Sequence, residues 1–138
     1  MYSDYLRIVL KSNSLEIEFG PERVFMKIVE KISLNELQKY AEKMYEPLVK
    51  AVVDVKRRLL VVDAGLHSDE ELYLLEQGST QADLWGINLW PGEYGTDDFI
   101  EFDSMINLRP GQGNRSRGVE EEGIRKQIIQ IVSEKVDA

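Results

Sequence analysis

Two short β-branched runs, Val49–Val55 and Leu59–Ala64, constrain this 138-residue chain more than any other feature. Lys56-Arg57-Arg58 joins them, and within them Val52-Val53 and Leu59-Leu60-Val61-Val62 are apolar at successive positions. Neighbouring strand residues point to opposite faces, so a strand that is apolar at every position has no face to give to water. These runs are predicted to pair as an antiparallel hairpin with a charged, solvated turn, in the middle of a sheet.

The flanking segments read differently. Leu6, Ile8 and Leu10, then Leu15, Ile17 and Phe19, alternate with polar residues on either side of Lys11-Ser12-Asn13-Ser14. That pattern predicts a hairpin over 4–19, closed by Gly20-Pro21 and followed by a strand from Val24 to Ile32. Ser33-Leu34-Asn35-Glu36 is a capping box. It opens a helix that sets Leu34, Leu37, Ala41, Met44 and Leu48 on one face and either ends at Pro47 or holds it in its last turn. Tyr40 and Tyr45 on it read as packing residues. A second capping box, Ser68-Asp69-Glu70-Glu71, opens a short helix stopped by Gly78. Leu84–Trp90 reads as a strand in which Gly86 marks a bulge or a close backbone approach. Trp85 and Trp90 point to opposite faces of it. Phe99–Arg109 alternates again, with Ile100, Phe102, Ser104, Ile106 and Leu108 on one face and Glu101, Asp103, Asn107 and Arg109 on the other. The last segment, Val119–Val136, is a helix burying Ile124, Ile128, Ile131, Val132 and Val136, with Glu120, Glu121 and Glu122 in its first turn. The order ββ(β)–α–ββ–α–ββ–α predicts an α+β fold over 1–138 as a single domain, with a mainly antiparallel sheet and three helices stacked on one face.

A chain of this length buries roughly two-thirds of the surface it exposes when unfolded. No apolar run reaches the ~20 residues of a membrane span, so no membrane partner is expected. Cysteine is absent, which removes disulfides, thiolate metal sites and a cysteine nucleophile. A cytoplasmic location is the expectation. The net charge of −8 makes nucleic acid an unlikely partner. Charge is also uneven: Leu59–Leu108 holds eleven acids and no Lys or Arg, whereas Ser104–Val119 holds Arg109, Arg115 and Arg117 and no acid.

That basic stretch supplies the main candidates. Gly111-Gln112-Gly113-Asn114-Arg115-Ser116-Arg117-Gly118 precedes a helix, and its backbone N–H groups and guanidinium forks suit a phosphate or carboxylate. It lacks the Gly-Lys-Ser/Thr ending of a P-loop and the third glycine of a dinucleotide fingerprint. Equally, its arginines can pair with the acidic middle of the chain. Asn88, Asn107 and Arg109 form a polar trio if strand register lets them face one another. His67, with Asp63, Asp69 and Glu70, has the residue types of a metal or acid–base site, but the helix start accounts for the acids and no second imidazole exists. A triad of His67 with Ser79, Ser104 or Ser116 lacks a nucleophile elbow. The candidate ligand-binding set is therefore His67, Trp85, Asn88, Asn107, Arg109, Asn114, Arg115 and Arg117, for a small anionic ligand. Neither a cofactor nor a metal is implied. The alternative is an interaction module, and self-association to a homo-oligomer is expected under either reading.

From Met26 onward the chain resembles an uncharacterised family of small prokaryotic proteins. The likeness rests on Gly65-Leu66-His67 with Asp69, Gly78-Ser79 with Gln81, and Asp83-Leu84-Trp85-Gly86-Ile87-Asn88. It continues through Ile100-Glu101-Phe102, Ile106-Asn107-Leu108-Arg109-Pro110 and Gly113-Asn114-Arg115-Ser116. The resemblance covers about four-fifths of the chain and implies no established activity. Members typically begin near Met26, so residues 1–25 are expected to be either a genuine N-terminal hairpin or the product of a start codon upstream of Met26.

Overall fold

The computed structural model describes residues 5–138. β1 (Leu6–Lys11) and β2 (Ser14–Phe19) form the N-terminal hairpin, and β3 (Val24–Val29) pairs antiparallel with β2. Asp4, where that hairpin was predicted to begin, lies outside the described residues. β4 (Ile32–Ser33) runs into α1 (Leu34–Ala41), followed by the hairpin of β5 (Val49–Asp54) and β6 (Leu59–Val62). Then come α2 (His67–Glu76), β7 (Leu84–Leu89), β8 (Ile100–Glu101), α3 (Glu122–Lys135) and β9 (Val136–Asp137). Seven strands form one sheet in the order β1-β2-β3-β6-β5-β7-β8, antiparallel at each pairing. The hairpin of β5 and β6 is central, as its doubly apolar sequence requires. β4 and β9 pair in parallel as a separate small sheet that ties the end of α3 to the start of α1.

The helices cover both faces of the sheet, not one. Ala51, Val53, Leu60 and Val62 pack with Trp85, Ile87 and Leu89 against Leu37 and Tyr40 of α1 and Ile128, Ile131 and Val132 of α3. On the other side Val52, Val61 and Leu84 join Ile17, Phe19 and Met26 beneath Tyr73 and Leu74 of α2. Phe19 and Tyr73 meet edge to face at 5.4 Å. Strands apolar on both faces need cover on both, and a single helical layer leaves half of β5 and β6 wet.

Local chemistry sets the element ends. Ser33 Oγ accepts the Glu36 N–H at 3.0 Å, but the Glu36 carboxylate does not reach back; it accepts from the Tyr40 hydroxyl at 2.8 Å. α1 stops at Ala41, and turns carry the chain to Leu48. The second capping box does not form. α2 starts two residues earlier, at His67, with no side-chain bond at Leu66, and Glu70 is buried. Gly78, at φ +98, follows the end of α2 in the left-handed conformation expected of a helix-terminating glycine. The long strand predicted over Phe99–Arg109 is only Ile100–Glu101. Ser104 then caps a 3₁₀ turn over Met105–Asn107 by accepting the Ile106 N–H at 3.2 Å. α3 begins at Glu122, leaving Glu120 in the loop before it.

Candidate functional site

The residues around that 3₁₀ turn complete the open side of β7. Backbone groups of alternate residues of β7 point away from β5, and Trp90 N–H donates to Phe99 O at 2.9 Å on that side. β8 covers Asn88 and Leu89 alone. Where β8 is missing, Asn107 takes its place: its Oδ1 accepts from Gly86 N–H at 2.8 Å and its Nδ2 donates to Gly86 O at 2.9 Å. One step further on, the Arg109 guanidinium donates to Leu84 O at 2.6 Å and to Gln81 O, and lies 4.1 Å from the Trp85 ring. An amide and a guanidinium thus stand in for a strand. Gly86 permits this, since a Cβ there would meet Ser104 Cβ at 2.5 Å.

Asn114 organises the predicted anion-binding loop from inside. Its Nδ2 lies 2.7 Å from both Asn107 O and Gly118 O, and its Oδ1 accepts from Glu120 N–H at 2.9 Å. Glu120 also receives the Arg115 N–H at 2.6 Å. The Arg117 guanidinium is paired with Asp103 at 2.6 Å. The Arg115 side chain is exposed. Of the predicted set, Trp85, Asn107, Arg109 and Asn114 are committed to the chain's own backbone and core, and the loop's donors largely face its own acceptors.

His67, Asn88 and Arg117 do come together, at the end of the sheet where β7 finishes and β5 begins. Lys50 on β5 is directly opposite Asn88 on β7. His67 Nε2 is 2.7 Å from Ile87 O. A carbonyl can only accept, so Nε2 carries the hydrogen and Nδ1 keeps its lone pair when the ring is neutral. Burial holds the imidazole neutral, bringing its pKa down to about 4; Lys50 and Arg117 push the same way, while the Ile87 bond and Asp103 oppose them. Asn88 donates to Glu101 at 2.8 Å and to Asp103 O at 3.3 Å, leaving its buried Oδ1 without a partner among the described residues. Glu70 is fully buried; its Oε2 accepts from Ala64 N–H at 3.1 Å and its Oε1 has no partner among the described residues. Burial raises its pKa well above the ordinary carboxylate value. The serines proposed as triad members are engaged elsewhere: Ser79 donates to Asp54 at 2.6 Å, Ser104 caps its turn and Ser116 accepts from Gly118 N–H.

Asp63 carries this polar strip round to the other face. It follows β6 at φ +76, an uncommon conformation for a residue with a side chain, and pairs with Lys43 at 3.1 Å. Beside it a cleft of about 400 Å³ opens over β1, β2 and β3. Its polar side is Tyr40 with Arg7, Lys27 and Lys43 set among Glu16, Glu18 and Asp63, and its apolar side chains are Val9 and Phe25. The side chains of Ile17 and Met26 pack on the opposite face, under α2. The Tyr40 ring has Lys27 Nζ 4.4 Å and Lys43 Nζ 5.0 Å from its centroid. Its hydroxyl donates to Glu36 and accepts from Lys27. Burial first, then the Glu36 carboxylate, raise the hydroxyl's pKa, so it stays protonated. Sequence reading assigned Tyr40 to packing and passed over Lys27 and Lys43. Nothing in the periodicity of α1 and β3 shows that two separate lysines converge on one ring.

A family model described as a protein of unknown function, DUF5674, matches residues 26–135. The chain belongs to that family. No curated protein and no solved structure matches it. The DUF5674 segment contains Lys27, Tyr40, Lys43, Asp63, His67 and Asn88, together with the Asn107–Arg109 edge and the Asn114 loop. β1 and β2 precede it, so the cleft is built jointly by the DUF5674 segment and the N-terminal hairpin. No described helix is long and apolar enough to cross a membrane.

Proposed function

We propose that the protein binds a small anionic molecule in the cleft beside Tyr40, with Lys27 and Lys43 meeting the negative charge. The observation that carries this reading is the pair of ammonium groups held against one aromatic ring at the mouth of a cavity of about 400 Å³, a size typical of small-ligand sites. The charge balance of the chain supports it. Residues 1–58 hold eleven Lys and Arg against nine Asp and Glu, whereas residues 59–138 hold six against sixteen. The cleft lies mainly in the cation-rich part, and its lining balances Arg7, Lys27 and Lys43 against Glu16, Glu18 and Asp63, so an anion meets less repulsion there than over the rest of an acidic protein. Val9 and Phe25, the apolar side chains on the cleft's face, suit a ligand with an apolar body. Asp63 on Lys43 and Glu16 on Lys27, at 3.1 and 3.6 Å, are the carboxylates such a ligand would displace.

This keeps the class of ligand predicted from the sequence and moves its place from the arginine loop to the sheet. The test is thermal denaturation against inorganic phosphate, nucleotides and short carboxylates. At a ligand concentration 100 times its Kd, stabilisation of about 2.7 kcal/mol raises the Tm of a domain this size by roughly 8 °C. Lys27→Met and Lys43→Ala remove the rise and Arg115→Ala keeps it. Absence of a rise with every class, or its loss in Arg115→Ala, overturns the proposal.

A further inference from the structure

β1 is the outermost strand of the sheet, and all six of its residues are exposed. Leu6, Ile8, Val9 and Leu10 are 42, 44, 38 and 78% accessible, a run with neither proline nor acid. Unpaired apolar edges of this kind are normally blocked by charge, proline or a bulge. The direction of its backbone groups follows from one bond. Gly20 N–H donates to Tyr5 O, and the register pairs Leu6 with Phe19 and Arg7 with Glu18. In an antiparallel ladder hydrogen-bonded and non-bonded pairs alternate. Tyr5, Arg7, Val9 and Lys11 therefore spend their N–H and C=O groups on β2, and Leu6, Ile8 and Leu10 present theirs to the outside.

We infer that a second copy of this chain occupies that edge, β1 against β1 in antiparallel register about a two-fold axis through Ile8. Only this register pairs all three outward-bonding residues of β1 with one another and opposes no like charges. With Ile8 opposite its own copy, Leu6 faces Leu10 and Leu10 faces Leu6, so the three outward-bonding residues meet three outward-bonding residues. Their side chains continue the apolar row of Leu15, Ile17 and Phe19, to which they are paired within each copy. On the opposite face Arg7 meets Val9, and no like charges oppose one another. Shifting the axis to Val9 still lets Ile8 and Leu10 bond each other but leaves Leu6 without an outward-bonding partner in β1 and sets Arg7 against Lys11, an unfavourable cross-strand pair. A basic strand edge recruiting an acidic peptide fits less well, because Lys11 is already paired with Glu16 at 3.3 Å. The two sheets join into one, and each cleft gains the other copy's strand beside Arg7 and Val9, which line it.

Sedimentation velocity across a wide concentration range tests this directly and does not depend on any ligand. The wild-type chain shows reversible association to twice the chain mass. Ile8→Lys, which sets two ammonium groups on the axis, sediments as a single chain throughout with an unchanged far-UV spectrum. Because the chain has no cysteine, register is read separately. Ile8→Cys forms a disulfide-linked dimer under mild oxidation, since opposed Cα atoms about 5.5 Å apart fall within disulfide reach. Val9→Cys, displaced beyond about 7 Å from its copy, does not. A wild-type chain that remains single at every concentration, a dimer that survives Ile8→Lys, or crosslinking through position 9 in preference to 8 each overturns the inference.

Discussion

His67 and Glu70 lie one helical turn apart on α2, and burial moves their pKa values in opposite directions with opposite consequences for stability. The folded-state pKa of His67 is lowered from 6.5 to about 4. Its contribution is intact above 6.5 and is lost as pH falls from there towards 4, where the unfolded chain binds the extra proton; full loss is about 3 kcal/mol. Glu70 is raised above 4.5, so the folded state holds its proton longer and stability falls as pH rises through that window. With Glu70→Gln removing the opposing titration, denaturant midpoints between pH 7 and 4.5 should show a falling limb on acidification, which adding His67→Gln flattens while keeping a donor for Ile87 O. Glu70→Gln keeps an acceptor for Ala64 N–H and should be more stable than wild type at pH 7. Gly86→Ala belongs to the same scale. A Cβ 2.5 Å from Ser104 Cβ overpacks a buried contact and should cost about 1–3 kcal/mol, read as a lowered Tm.

Between β7 and α3, elements are replaced by side chains. Asn107 holds both backbone groups of Gly86, so Asn107→Ala leaves a buried N–H and C=O unpaired and should cost about 3 kcal/mol, with amide exchange fastest along β7. The sequence reveals the hairpin of β1 and β2 and the strand after it, because apolar residues alternate with polar ones on either side of Lys11-Ser12-Asn13-Ser14, and a period of two survives averaging. It reveals the central place of β5 and β6 because every position there is apolar. The same logic fails over Phe99–Arg109. Ile106 is half-buried and Ser104 buried for reasons of a 3₁₀ turn, and the accidental alternation mimics a strand. What the motif Ile106-Asn107-Leu108-Arg109 encodes is a substitute for strand pairing, and that becomes visible only when the edge of β7 is seen to be bare. The convergence of Lys27 and Lys43 on Tyr40 was hidden for a related reason: it joins β3 to α1 across the sheet, and no local period records it.

At the scale of the molecule, one end of the sheet collects the chemistry. The exit of β6 at Asp63, the start of β5 at Lys50 and the finish of β7 at Asn88 all lie there, with Tyr40 and His67 arriving from opposite faces. The rest of the fold supports that rim: two apolar layers hold the central strands, and the Asn107–Asn114 segment seals the side of β7. The central claim is that the working surface is the lysine-flanked cleft and not the arginine loop. Backbone amide chemical shifts, followed by NMR while the anion that gives the largest thermal stabilisation is titrated in, locate the bound ligand residue by residue. The account predicts saturable movement of Lys27, Tyr40, Lys43 and Asp63 with residues 111–118 still; movement centred on Arg115 and Arg117, with the cleft amides unmoved, would contradict it.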